Sequence, residues 1–121
     1  MRPELAHLAD MLAFGRDAVE LLGEQTLEEL RADKRTQYAV IRCLEVVGEA
    51  AARVSPETRT LLPELEWRSV VGLRNVLIHR YEEIDLGAVF GIVRRRLPAL
   101  IPALEAAIRA LDLSSSNSES E

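Results

Sequence analysis

One cysteine, five aromatic side chains and no long apolar run mark out what this chain of 121 residues cannot be. With Cys43 alone, no internal disulfide can form. Its neighbours Ile41, Leu44, Val46 and Val47 make it read as a small buried hydrophobe in a reducing compartment rather than a reactive thiol. No apolar run approaches the ~20 residues that a membrane span needs, and no charged-then-apolar leader opens the chain. The expectation is a soluble, cytoplasmic protein with no membrane partner. There is no paired Cys/His spacing for a metal and no glycine-rich phosphate loop, so neither a metal nor a nucleotide cofactor is implied. Internal repeats and strand-like alternation are missing too.

What remains is apolar and aliphatic. Apolar residues make up 48% of the chain and aromatics only 4%, so Leu, Val, Ala and Ile must supply the core, and Leu and Ala are good helix formers. The length fits a single domain able to bury a core without staples. The net charge of −5 argues against a broad nonspecific nucleic-acid surface. The charge is unevenly spread, however. Residues 67–96 hold six Arg against three acids, whereas 1–66 hold eight basic and thirteen acidic side chains. Any polyanion contact should centre on the stretch from Trp67 to Arg96.

The apolar spacing predicts helices throughout. Leu5, Leu8, Leu12, Val19 and Leu22 mark one over 4–22, with Gly15 at the missing step and Gly23 as a stop. Thr26 with Glu29 is a capping-box pattern for a short turn, Leu27 to Arg31. Asp33 can cap a long helix over 34–54 whose seam is Val40, Leu44, Val47, Ala51 and Val54, ended by Ser55-Pro56. A connection over 57–66 follows, with room for one helical turn before Pro63. A third long helix is expected from about Leu65 to His79. A fourth, over 86–96, would be capped by Asp85, and a last one would have Pro98 in its first turn and reach Leu111. Pro102 is tolerated near that start or kinks a longer continuous helix. The fold class is therefore all-α, an up-and-down bundle of four to five helices over 1–113. The acidic, Ser-rich tail 114–121 has nothing to bury and should be disordered.

Side chains suited to chemistry gather in one place. The run from Trp67 to Tyr81 holds Arg74, Asn75, His79 and Tyr81 within eight residues in the basic segment. At about 100° per residue, Arg74 and Tyr81 share a helical stripe, and His79 lies about 140° from Arg74 unless the helix ends near it. Each residue alone has a plain structural explanation. Arg74 can pair with acids or last-turn carbonyls, His79 can sit at a helix C-terminus, and Tyr81 can pack half-buried with a wet hydroxyl. Elsewhere the structural explanation prevails. Trp67 reads as core or helix-entry packing, Gly48 and Gly72 as sites of close helix approach, and Glu45, Glu49 and Arg53 as a solvated ion-pair face, with a place near the cleft as the lesser alternative for Glu49. His7 reads as a surface residue, and Arg94-Arg95-Arg96 as a solvated helix end, with RNA backbone contact as the alternative.

Arg74-x4-His79-x-Tyr81 resembles the Arg-x4-His-x-Tyr signature of the HepT ribonuclease toxins within the HEPN superfamily. Asn75 fills the polar position that often follows the Arg there. Gly48-Glu49-Ala50, Trp67, Gly72-Leu73 and Leu97-Pro98-x-Leu100 are similar to the same family, and the likeness runs over roughly residues 4–108. The tail after Leu113 has no counterpart.

The resemblance implies a HEPN-like helical fold and metal-independent RNA cleavage, with Arg74 and His79 catalytic and Asn75 assisting. The chemistry is compatible. RNA cleavage needs the ribose 2′-oxygen deprotonated, the 5′-oxygen protonated and the phosphorane charge stabilised. An imidazole with an ordinary pKa near ~6.5 suits the proton transfers. Arg74 offers a permanently charged fork for phosphate oxygens. One His cannot easily be both acid and base in a single step, and the family likeness implies paired sites, so a homodimer with a composite active site at its two-fold axis is expected. The family likeness further implies a toxin of a type VII-like toxin–antitoxin pair. Its partner would be a minimal nucleotidyltransferase antitoxin that transfers AMP to Tyr81, blocking phosphate binding by volume and charge. Two other readings stand beside this one. One is a non-catalytic nucleotide- or substrate-binding partner subunit of a minimal nucleotidyltransferase. The other is a helical dimerisation module without a ligand.

Overall fold

A computed structural model describes residues 3–74 and 85–119, with side chains described as far as Leu113. The described residues form helices, turns and bends, with no strand among them. The expected all-helical class is therefore observed, as a packed helical bundle.

The N-terminal helix α1 spans Pro3–Leu22 and stops at Gly23, whose φ of 55° is left-handed backbone that glycine adopts without strain. A short helix α2, Leu27–Arg31, follows its capping box as expected: Thr26 accepts from the Glu29 N–H at 3.1 Å, and Glu29 accepts from the Thr26 N–H at 3.0 Å. Helix α3, Lys34–Arg53, is opened by Asp33, which accepts from the Thr36 N–H at 3.1 Å. Helix α4, Pro56–Leu61, is capped by Ser55 and supplies the turn expected before Pro63. Helix α5, Trp67–Val71, passes into a tighter 3-10 turn, Gly72–Arg74.

The C-terminal third departs from the expected pair of helices. Helix α6, Leu86–Gly91, is capped by Asp85. It runs through a wide π-helical turn, Ile92–Arg96, into α7, Leu97–Glu119, without leaving helical backbone. The Leu97 N–H reaches back five residues to the Ile92 carbonyl. That widened turn lies just before Pro98, whose ring would crowd the carbonyl four residues earlier in a regular helix. Pro102 sits inside α7. Helical backbone is described as far as Glu119.

The core is aliphatic, as composition demands. Helix α1 packs on α3 and α7, while α5 and the 3-10 turn lean on α3. Leu8, Met11, Leu44, Val47, Leu73, Val89, Leu97 and Leu104 are almost wholly buried. The predicted seam of α3 is observed, with Val40, Leu44, Val47, Ala51 and Val54 all buried. On α1 the buried stripe runs through Met11 rather than Leu12, which is half-buried. Cys43 is buried as expected, and burial, with the negative charge of Asp17 second, pushes its thiol above the usual range. His7 is half-buried rather than surface. One ion pair, Arg16 to Glu105 at 2.8 Å, ties α1 to α7. Among the described residues no helix is long and apolar enough to cross a membrane.

The Asp33 cap has a pH signature. Hydrogen bonds from the Thr36 hydroxyl at 2.6 Å, the Gln25 amide at 3.0 Å and the Thr36 N–H lower its pKa from 3.8 to about 2. A depressed carboxylate stabilises the fold fully above its unfolded value, and that contribution is lost as pH falls through about 2. Denaturant unfolding of the native chain and of Asp33→Ala should differ at neutral pH and converge in acid. A gap unchanged between pH 6 and pH 2 would contradict this role.

Candidate active site

Arg74 ends the 3-10 turn with its side chain exposed, one residue after Leu73, which is buried. Val70 and Leu73 anchor this segment in the core. Its position is set by contact with α3. A Cβ added at Gly48 would lie 2.6 Å from the Arg74 backbone nitrogen and 3.0 Å from its Cβ. Only a residue without a side chain lets the two backbones meet there. The expectation for Gly48 is thus met. At Gly72 a Cβ would meet nothing within 4 Å among the described residues.

A second set of contacts holds the start of α5. The Trp67 indole N–H donates to the Leu62 carbonyl at 3.0 Å, and the ring faces the Arg59 guanidinium, 5.6 Å from its centroid. Arg59 in turn donates to the carbonyls of Val54 at 3.1 Å, Ala51 at 3.0 Å and Ala52 at 3.2 Å. These carbonyls belong to the last turn and cap of α3, where helical partners run short, although Ala51 also accepts from the Val54 N–H at 3.2 Å. The α3 C-terminus, Arg59, Trp67, α5 and Arg74 therefore make a circuit that returns to α3 at Gly48. Trp67 is the half-buried packing residue the sequence suggested. Arg59 was not singled out. Its signal was an Arg just beyond a helix end, where cations are favoured.

Asn75, His79 and Tyr81 lie outside the described residues, so their geometry relative to Arg74 is not part of the site as drawn. Around Arg74 the described surface is basic. Arg68, Arg95 and Arg96 are exposed, and the Arg96 guanidinium donates to the Ser69 hydroxyl, linking the π turn to α5. Arg94 differs from its two neighbours. It donates to the carbonyls of Gly23 at 2.8 Å and Gln25 at 2.7 Å and covers the Phe90 ring at 5.0 Å. It is exposed, as expected, and also clamps the α1–α2 connection. Between α5 and the π turn lies a groove of about 320 Å³. Glu49, next to Gly48, is exposed, and Glu45 pairs with Arg42 at 3.2 Å. Among the described residues no group of three or more His, Cys, Asp or Glu is placed to hold a metal ion.

Comparison with known proteins follows this geometry. A family model described as "Ribonuclease HepT-like" matches residues 11–107, a span that includes Gly48, Arg59 and the whole run from Trp67 to Arg96. A Thermococcus cleftensis protein named as a probable ribonuclease HepT is 38% identical over 95 residues, covering 75% of this chain and 86% of that one. Two proteins of Methanocaldococcus jannaschii, each named as a candidate RNase, are similar as well. One is 36% identical over 83% of this chain and 92% of its own. The other is 34% identical over 93% of each. No solved structure matches.

The close approach at Gly48 gives a direct test of what positions Arg74. Gly48→Ala should destabilise the fold by roughly 1–3 kcal/mol, because the atom in the way is backbone and cannot swing aside. Gly72→Ala, where a Cβ meets no described residue, should not. Denaturant unfolding of both variants checks this, and equal effects would remove the steric account.

Proposed function

Because this chain belongs to the HepT-like ribonuclease family, we propose that it is a metal-independent RNA endonuclease, and the toxin of a pair whose antitoxin is a minimal nucleotidyltransferase. The observation that supports this most is Arg74. It is an exposed guanidinium on a backbone held against Gly48, in the most basic segment of an acidic protein. A guanidinium presented to solvent from a fixed backbone position is suited to phosphate oxygens.

In this reading Arg74 takes the non-bridging oxygens of the scissile phosphate and stabilises the dianionic phosphorane. His79 exchanges protons with the 2′- and 5′-oxygens, and Asn75 orients substrate or imidazole. Attack of the 2′-oxygen on phosphorus breaks the bond to the 5′-oxygen, leaving a 2′,3′-cyclic phosphate and a 5′-hydroxyl. Two copies of the chain related by a two-fold axis supply two His79 side chains, one as base and one as acid. Tyr81 is the switch. Its hydroxyl oxygen bonds to the α-phosphorus of ATP, pyrophosphate leaves and the phenolic proton is lost. The resulting AMP ester places bulk and negative charge where RNA phosphate would bind.

Expression of the chain alone should arrest growth and create new RNA ends with 5′-hydroxyls. His79→Ala should lower cleavage by about 10²–10⁴-fold, and Arg74→Ala by about 10²–10³-fold. Neither should change the helical signal or the mass of the two-chain species in solution. Normal growth and intact RNA with folded, unmodified native chain would favour the nucleotide-binding subunit instead.

A further inference from the structure

Three consecutive arginines close the basic segment, and the structure uses them differently. Arg94 is spent on the Gly23 and Gln25 carbonyls. Arg95 and Arg96 line the groove between α5 and the π turn. A regular helix turns about 100° per residue and spreads three neighbours around its circumference. Here the run lies within a π turn, an irregularity often found at functional positions.

The geometry points to this groove as a subsite for the RNA strand next to the cleaved phosphate, with Arg95 and Arg96 as the residues that position its backbone. The inference rests on the ribonuclease reading. Four features of the groove support it. One wall carries Val70 and Leu73, so the groove reaches the residue immediately before Arg74. Ile92, Leu97 and Leu100 give the other wall apolar atoms beside Arg95 and Arg96. Arg95 and Arg96 line the opening and are exposed, so two cations stand at it. Glu64 and Glu66 also line it. These carboxylates disfavour phosphate on their side and accept hydrogen bonds from base amino groups. A strand is thereby oriented with its phosphates toward the arginines and its bases toward the acids. The Arg96–Ser69 hydrogen bond keeps the guanidinium at the opening instead of in bulk water. Arg95 and Arg96 are positioning residues here; neither is assigned a proton transfer.

The test is binding of a single-stranded RNA oligonucleotide carrying 2′-O-methyl groups, which cannot attack its own phosphates, measured over a range of salt concentrations. Cleavage of the matching 2′-hydroxyl oligonucleotide is followed in parallel. Arg95→Ala and Arg96→Ala should each weaken binding several-fold and reduce the slope of log K against log salt by about 0.7. Ser69→Ala keeps the charge and should keep the slope. Arg35→Ala should change nothing, since its exposed side chain lies on α3 about 20 Å along the helix from Gly48. Native chain that cleaves RNA, with slopes unaltered in both arginine variants, would overturn the subsite and leave the ribonuclease reading standing. An equal loss in Arg35→Ala would overturn it too, as diffuse attraction. Native chain that neither binds nor cleaves would overturn both. Binding with the expected slope losses but no cleavage would support the subsite and count against catalysis.

Discussion

Contact between the backbones at Gly48 and Arg74 is the constraint from which the site is built. Two chain segments 26 positions apart meet with no side chain between them. That approach fixes where α5 ends and where the first site residue stands. It depends on an α3 of 20 residues held by a buried aliphatic seam that runs past Gly48, since a helix free to roll could not hold one glycine opposite one peptide. The buried Val40, Leu44, Val47 and Ala51 help to position Arg74 in this way.

Arginine carries much of the long-range order in this protein, because aromatics are few. Arg59 gathers the carbonyls at the end of α3 and lies beside the single tryptophan. Arg94 does the same for the α1–α2 connection and covers Phe90. Both use the planar fork of the guanidinium to satisfy several carbonyls at once, which an ammonium group cannot do with the same geometry. Arg74, Arg95 and Arg96 remain facing solvent. A single residue type thus divides between holding helix ends and presenting charge, and only the fold tells the two groups apart.

An acidic protein can still act on RNA when its positive charge is concentrated. Here it is concentrated along the chain and again in space, because the π turn packs beside α5. The acidic remainder limits diffuse attraction to polyanions. The family to which the chain belongs is consistent with such a surface.

Local chemistry made much of the molecule legible from its residues alone. The capping box at Thr26, the Asp33 cap, the Gly23 stop and the α3 seam depend on near neighbours in the chain, and the structure has them where the spacing placed them. The Arg74–Tyr81 cluster was visible for the same reason, and its last members lie outside the described residues. What depends on distant partners was decided only by the tertiary structure. Gly48 and Gly72 look alike in sequence, yet among the described residues one meets a backbone and the other meets nothing. Arg94, Arg95 and Arg96 look alike too, yet the first caps a distant loop. A longer continuous helix was one of two sequence options, but the π turn that carries it was not legible, because it trades one hydrogen-bond register for another within the same apolar pattern. Periodicity records which face is buried; it does not record which atom waits on the other side.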